Sequence, residues 1–131
     1  MNFTDELHRF QYQGLLSRDN TKEADRERKA LFYILSCDEL FKKANFLYNF
    51  DDHSIKADHE KIFSSGEAAL IEIGYNLYNG YGQRTIVDLF SRLDSKAFSI
   101  ALEAIRIRFD RTAQDNKKEQ TERFLRAIER S

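Results

Sequence analysis

The sequence predicts an all-α fold, a single compact bundle of about six helices with a further C-terminal helix as an option. The chain has no proline and only five glycines, so the residues that most often interrupt helices are scarce. Apolar residues recur at three- and four-residue spacing, whereas strand-like alternation never persists. Eleven phenylalanines and six tyrosines indicate an aromatic-rich core within one domain.

The first two helices are indicated by capping residues and apolar runs. Thr4 or Asp5 can cap the amides of a first turn, and the polar stretch 17–21 then predicts a connection. A second helix is expected at about residues 22–37. Its second half is apolar nearly all round, so we expect burial on most sides.

The next part of the chain predicts less regular structure. Asp38 is expected to cap a third helix that carries apolar residues as far as Tyr48. Residues 49–56 are acidic and polar and are expected to form a loop. A short helix is expected at residues 57–63.

Two further helix starts are predicted from hydroxyl side chains. Ser64 or Ser65 can cap a helix that ends at Gly80, where a positive φ angle is readily adopted. Thr85, followed three residues later by an acidic residue, predicts the cap of a short helix over residues 86–93.

The last third of the chain predicts a central helix and then a tail. Residues 96–109 are apolar on two sides, so we expect neighbours on both and a central place in the bundle. We therefore expect a helical domain over 1–111. Residues 112–131 are expected to be a polar linker and a weakly anchored helix or tail, a candidate dimerisation element with three apolar residues, Phe124, Leu125 and Ile128.

The end of the helix before Gly80 is the predicted partner-binding surface. It combines aromatic, amide and guanidinium groups, which are frequent in binding hot spots. The residues are Tyr75, Tyr78, Asn79, Tyr81 and Arg84. The alternative, that Tyr75 and Tyr78 belong to the core, stays open at this point.

The amino-acid composition limits the cellular compartment and the classes of partner that we expect for this protein. Charged residues make up 33% of the chain but almost cancel, to a formal net charge of −1, which argues against nucleic acid as a partner. The single cysteine, Cys37, cannot form an intramolecular disulfide. We see neither a signal peptide nor an apolar run long enough for a bilayer, so we expect a cytoplasmic protein without membrane association.

Two sets of histidines are the candidate catalytic or metal-binding residues. His8 shares a helix face with Asp5 and Tyr12, an arrangement that can orient a general base. His53 and His59 lie among acidic residues, but their spacing does not place both rings on one helix face. Neither set completes a known chemistry, so we expect no enzyme activity, no cofactor and no metal. A small enzyme centred on either set is the second alternative.

The arginines of residues 84–111 raise the other alternative, a nucleic-acid-associated regulator. Helices 86–93 and 96–109 are spaced like a helix-turn-helix. A recognition helix presents polar side chains to base edges, whereas 96–109 is mostly apolar. We expect these arginines to cover apolar surface and to pair with nearby carboxylates. Glu27 and Arg28 are candidates for an ion pair with Arg106 or another late residue.

The chain also resembles a family of small uncharacterised helical proteins of Gram-positive bacteria and their phages. The resemblance covers most of residues 1–109 and rests on five segments: Glu27–Leu35 (ERKALFYIL), Asp38–Leu40 (DEL), Tyr48–Phe50 (YNF), Asn76–Tyr81 (NLYNGY) and Ile105–Phe109 (IRIRF). It implies a bacterial or phage origin and brings no activity with it.

Together these observations favour a non-enzymatic helical module that binds another protein, as a regulator or inhibitor. The aromatic-rich composition, the near-neutral charge and the lack of a complete catalytic set motivate this hypothesis.

Overall fold

The computed structural model describes residues 1–57, 63–110 and 112–130, and it confirms the all-α fold. A 3-10 turn at Ala44–Phe46 and an antiparallel hairpin of two short strands, β1 (Tyr48–Asn49) and β2 (Ser54–Ile55), accompany the helices. The helices are α1 (Glu6–Asp19), α2 (Arg26–Leu35), α3 (Asp38–Lys42), α4 (Ser65–Asn79), α5 (Ile86–Phe90), α6 (Ser95–Arg108) and α7 (Thr112–Arg130).

Helix α2 is the centre of the bundle. Its six consecutive residues from Ala30 to Leu35 are at most 2% exposed, as the apolar run predicts. It packs against α1, α4 and α6. The closest approach is at Gly74 of α4, where an added Cβ would lie 3.3 Å from Leu31 Cδ1. The absence of a side chain at Gly74 therefore lets the two helices meet.

The expected central place of residues 96–109 is wrong. Helix α6 buries one side against α2 and α4, through Ile100, Ala101, Ala104 and Ile107. Its second apolar side is largely exposed to solvent. The two apolar sides of this helix therefore have different environments.

Predicted capping residues are largely confirmed. Asp5 accepts a hydrogen bond from the His8 amide at 2.8 Å, and Ser64 forms a complete capping box with Glu67 at the start of α4. Thr85 accepts from the Asp88 amide at 3.2 Å. Asp94 caps α6 and accepts a hydrogen bond from the Ala97 amide at 2.8 Å.

Residues 38–56 differ from the prediction. Cys37, not Asp38, is the N-cap residue of α3, and no side chain caps this helix. The helix stops at Lys42, and the chain then turns into the hairpin instead of continuing to Tyr48. The Asn49 side chain accepts the amide of Asp51 at 2.9 Å, which closes the turn between the strands. Most of the helix expected at 57–63 lies outside the described residues.

Residues 112–120, expected to be a polar linker, belong to α7, which runs from Thr112 to Arg130. This stretch has neither glycine nor proline and is rich in Gln, Lys, Glu and Arg, which are good helix formers. The domain boundary at residue 111 stays a prediction.

Two glycines allow a matched test of the backbone. Gly14 lies within α1 with open space around its Cα, so Gly14→Ala should raise the free energy of unfolding by about 0.5–1 kcal/mol. Gly82 has φ +129°, and an added Cβ would lie 2.9 Å from Glu72 Cγ. Gly82→Ala should therefore lower the free energy of unfolding by more than about 1 kcal/mol. Urea denaturation checks both, and equal effects of the two substitutions would contradict the assignment.

Candidate functional site

His8 has a structural environment. It is buried, its Nδ1 accepts the Thr4 amide at 3.2 Å, and its Nε2 lies 2.9 Å from the Tyr33 carbonyl oxygen. Because Nδ1 accepts, the proton is on Nε2, which donates to Tyr33. Burial lowers the pKa of His8 from 6.5, against the opposing effect of the Tyr33 hydrogen bond. Both ring nitrogens form hydrogen bonds with backbone groups, one at Thr4 and one at Tyr33. His8 therefore connects the N-terminal segment to α2.

A buried carboxylate, Asp19, organises a second polar cluster. Its Oδ1 accepts from the Tyr48 hydroxyl and from His53 Nδ1, both at 2.7 Å, and its Oδ2 accepts from the Thr21 hydroxyl at 2.6 Å. Burial alone would raise the pKa of Asp19, but these hydrogen bonds from Thr21, His53 and Tyr48 outweigh it and hold the pKa below its usual value. Asp19 is therefore a charged centre that joins the end of α1 to the hairpin.

Arg28 completes this cluster from α2. Its Nε donates to the Tyr48 hydroxyl at 3.0 Å and lies 3.7 Å from Asp19 Oδ2. A terminal nitrogen donates to the His53 carbonyl at 3.0 Å, which holds His53 at its positive φ of 58°. The guanidinium also lies over the Tyr78 ring, 5.3 Å from its centroid. Sequence reasoning missed Asp19 and Tyr48 and expected Arg28 to pair with a late residue, because the contacts of this cluster join distant segments.

The histidine hypotheses can be compared with this geometry. His53 is half-exposed and oriented by Asp19, whereas His59 lies outside the described residues. Among the described residues, no group of three or more His, Cys, Asp and Glu side chains is placed to hold a metal ion. The contacts of His53 join segments of the fold, and they give no catalytic set.

The predicted tyrosine surface is only partly a surface. Tyr75 is 2% exposed, and its hydroxyl lies 2.9 Å from the carbonyl oxygens of Leu47 and Lys56, so it is a core residue. Tyr78 is half-buried beneath Arg28. Arg84 is held by Glu72, Nε to Oε1 at 3.3 Å. Tyr81 is exposed, as is Asn79, which caps its amide.

The late arginines pair with carboxylates, as expected. Besides Arg84, the pairs are Arg92 with Asp88 at 3.1 Å, Arg106 with Glu103 at 3.3 Å and Arg108 with Glu27 at 3.7 Å. Glu27 thus meets a late arginine, Arg108 rather than Arg106. Arg111 lies outside the described residues. This pairing lowers the positive charge that the described part of this region offers to a phosphate backbone.

A cleft of about 290 Å³ lies where α3, α4 and α6 begin. Its charges are mixed, and Lys96 already pairs with Asp38 at 2.6 Å. Cys37 lines the cleft, but its thiol donates to the Ile34 carbonyl, and burial raises its pKa to about 12. The thiol is therefore neutral and unreactive at physiological pH.

Helix α6 and the residue that follows it carry a row of partly exposed apolar side chains. On α6, four residues at spacings of four, three and four lie on one side: Phe98, Leu102, Ile105 and Phe109. Phe98, Leu102 and Phe109 are 44%, 37% and 53% exposed, and Ile105 is half-buried. We call these residues, with the α5 residues below, the α5–α6 face.

Helix α5 extends this face. The Phe90 ring packs edge-on against Phe98, with 5.8 Å between centroids. Ile86 and Val87, which precede Phe90 by one helical turn, are 74% and 79% exposed. Single exposed apolar residues are common on protein surfaces, whereas a larger apolar patch is a candidate interaction site. The periodicity on α6 was visible in the sequence and was interpreted there as burial.

Comparison with known proteins places the chain in a family. A family model described as "Family of unknown function (DUF6075)" matches residues 1–121. The chain therefore belongs to this family, whose match extends beyond the resemblance noted over residues 1–109 and into α7. No curated protein and no solved structure matches the chain. Among the described residues, no helix is long and apolar enough to cross a membrane.

The environment of His8 predicts how stability depends on pH. Its folded pKa is below 6.5, so the unfolded chain binds the proton more readily, and stability should fall as the pH drops below about 6.5. The maximum slope for one proton is about 1.4 kcal/mol per pH unit. Urea denaturation between about pH 7.5 and 5.5 should show a free energy of unfolding that begins to fall near pH 6.5 and approaches this slope below it, and His8→Gln should reduce the fall. An unchanged slope in His8→Gln would contradict the assignment.

The Asp19 cluster predicts a large effect of a small chemical change. Asp19→Asn replaces one acceptor oxygen by an amide donor facing Tyr48, His53 or Thr21, so we expect a loss of about 2–4 kcal/mol in the free energy of unfolding. The control is Asp51→Asn in the exposed hairpin turn, with an expected change within about 0.5 kcal/mol. Similar losses for both variants in urea denaturation would rule out the special role of Asp19.

Proposed function

We propose that this protein is a non-enzymatic helical module that binds an amphipathic helix of another protein chain on the α5–α6 face. The observation that carries the proposal is the exposed row of Phe98, Leu102, Ile105 and Phe109 on α6. A helix laid into an apolar surface is a common mode of peptide recognition. Aromatic residues such as Phe98 and Phe109 supply large contact areas in such interfaces.

The spacing of the row supports a helix as the bound element. Intervals of four, three and four residues keep side chains aligned along one side of α6, as at the seam between two packed helices. Ile86 and Val87 widen the row at its beginning. Such a surface matches an amphipathic helix with apolar residues at the same intervals.

A charged residue beside the row indicates which charge the bound helix should carry. Arg106 follows one turn after Leu102 on the edge of the row, and its side chain is 71% exposed. An acidic residue beside the apolar side of a bound helix would meet it. The bound helix therefore carries apolar residues at three- and four-residue spacing with a flanking carboxylate.

The proposed binding surface differs from the partner-binding surface that the sequence predicted, which consists of Tyr75, Tyr78, Asn79, Tyr81 and Arg84. In that set Tyr75 is buried and Arg84 is held by Glu72, so Tyr81 offers the main apolar contact.

A regulatory role, a cytoplasmic location and a bacterial or phage origin are retained as parts of the proposal. They are supported by the segment resemblance and by the single unpaired cysteine.

The test uses a photo-reactive amino acid placed at Leu102, and for comparison at Leu7, an exposed leucine on α1. Irradiation in the native host should give a cross-linked protein species with the probe at position 102 and not with the probe at position 7. A synthetic peptide of the cross-linked helix should then bind the purified protein.

Matched variants decide whether the face is responsible. Leu102→Glu should weaken peptide binding by at least about tenfold, because it places a charge in the centre of the row. Leu7→Glu should leave binding within about twofold. Cross-links at position 7 alone, or equal binding by both variants, would exclude the α5–α6 face. Circular dichroism checks that both variants keep their helices.

A further inference from the structure

We infer that the helix bound on the α5–α6 face is α7 of a second copy of this chain, so that two copies exchange their C-terminal helices. The inference rests on the proposed function, since it takes the α5–α6 face as a helix-binding surface. In a twofold arrangement each copy gives α7 to its partner and receives the partner's α7, so both faces are covered.

Helix α7 has the pattern that the face requires. Its apolar side consists of three residues that are 65%, 52% and 53% exposed: Phe124, Leu125 and Ile128. Phe124 and Ile128 are four residues apart, and Leu125 and Ile128 are three apart, so they share one side of the helix. The apolar row on α6 is longer than this segment, so the whole segment fits along it.

The charges of α7 are arranged to fit the same surface. Arg123, Arg126 and Arg130 lie on the side of the helix opposite the apolar residues, where they face solvent when α7 is docked. Glu122 and Glu129 lie beside the apolar side, seven residues apart and on one edge. They can therefore approach Arg106, which is exposed at the edge of the row.

Docking of α7 on its own copy is disfavoured by the sequence between the two helices. In a hairpin with α6, residues 112–120 would lie opposite Leu102, Ile105 and Phe109, because both helices rise about 1.5 Å per residue. The sequence of that stretch is TAQDNKKEQ, in which alanine is the only apolar residue. In that hairpin Phe124 would reach Phe98 at the beginning of α6, and Leu102, Ile105 and Phe109 would be left opposite polar residues.

The end of α6 is anchored to α2. Arg26 donates to the Asp110 carbonyl oxygen at 2.6 Å, and the Asp110 amide donates to the Ile107 carbonyl. In the exchanged dimer the polar stretch of α7 is the helical arm that connects the two copies. The second copy then receives the apolar segment along part of its row.

The available area is that of a stable interface. The exposed fractions of the apolar side chains of the face and of α7 amount to on the order of 800 Å² per copy, if about 150–250 Å² is taken for a whole aromatic side chain. A standard protein–protein interface buries about 800 Å² per partner. An exchange of α7 that buries all of this surface supplies the area of a stable dimer.

The experiment measures the molar mass of the full-length chain in solution by light scattering. The wild type should have twice the mass of the 15.5 kDa chain. Leu102→Glu on the face and Leu125→Glu on α7 should each give the monomer mass. The matched controls Leu7→Glu on α1 and Ala127→Glu on a different side of α7 should stay dimeric.

Mixing the two monomeric variants tests the exchange itself. One has an intact α7 and the other an intact face, so an equimolar mixture regains one of the two docking contacts. We expect dimer mass in the mixture and in neither variant alone, with a dissociation constant at least about tenfold above that of the wild type. Absence of dimer in the mixture would overturn exchange between copies.

The outcomes also separate this inference from the proposed function. A monomeric wild type whose α5–α6 face still binds the cross-linked peptide overturns the inference and leaves the function standing. A dimer that Leu7→Glu breaks and Leu102→Glu does not overturns the inference and places the interface on α1. A monomeric wild type whose α5–α6 face also binds no helix of another protein contradicts both the inference and the proposed function.

Discussion

The fold depends on enclosing helix α2 on every side. Residues Ala30 to Leu35 are buried without interruption, so solvent reaches no side of this second half of α2. Burying one large apolar side chain contributes about 1.5–3 kcal/mol, so this one segment accounts for a large share of the stabilisation of the bundle. Helices α1, α4 and α6 must surround α2, and the hairpin must close the remaining gap through Phe32 and Tyr48, whose rings are 4.9 Å apart.

Features set by local chemistry were predictable from the sequence. The caps at Asp5, Ser64 and Thr85 need only a side-chain oxygen and the amides of the next turn. The burial of α2 follows from an apolar run with no polar side. In each case the information lies within one helical turn or one helix, so sequence spacing was sufficient.

Features that join distant segments were not predictable. Asp19 meets Tyr48 and His53, which are 29 and 34 residues away, and nothing in their spacing indicates a shared cluster. Tyr75 has the composition of a binding residue, but its hydroxyl is satisfied by two backbone carbonyls beneath the surface. The second apolar side of α6 shows the same limit, since periodicity reports that a side is apolar and not what covers it.

The enclosure of Cys37 has a practical consequence for work on this protein. Cys37 is 4% exposed, and its thiol donates a hydrogen bond to the Ile34 carbonyl at 2.9 Å. Burial raises the pKa of this thiol, so it stays protonated. It is also the sole cysteine of the chain. A thiol engineered onto the exterior can therefore be labelled with a maleimide fluorophore or a spin probe in the otherwise native background. Interhelical distances then become accessible to spectroscopy without prior replacement of the natural cysteine.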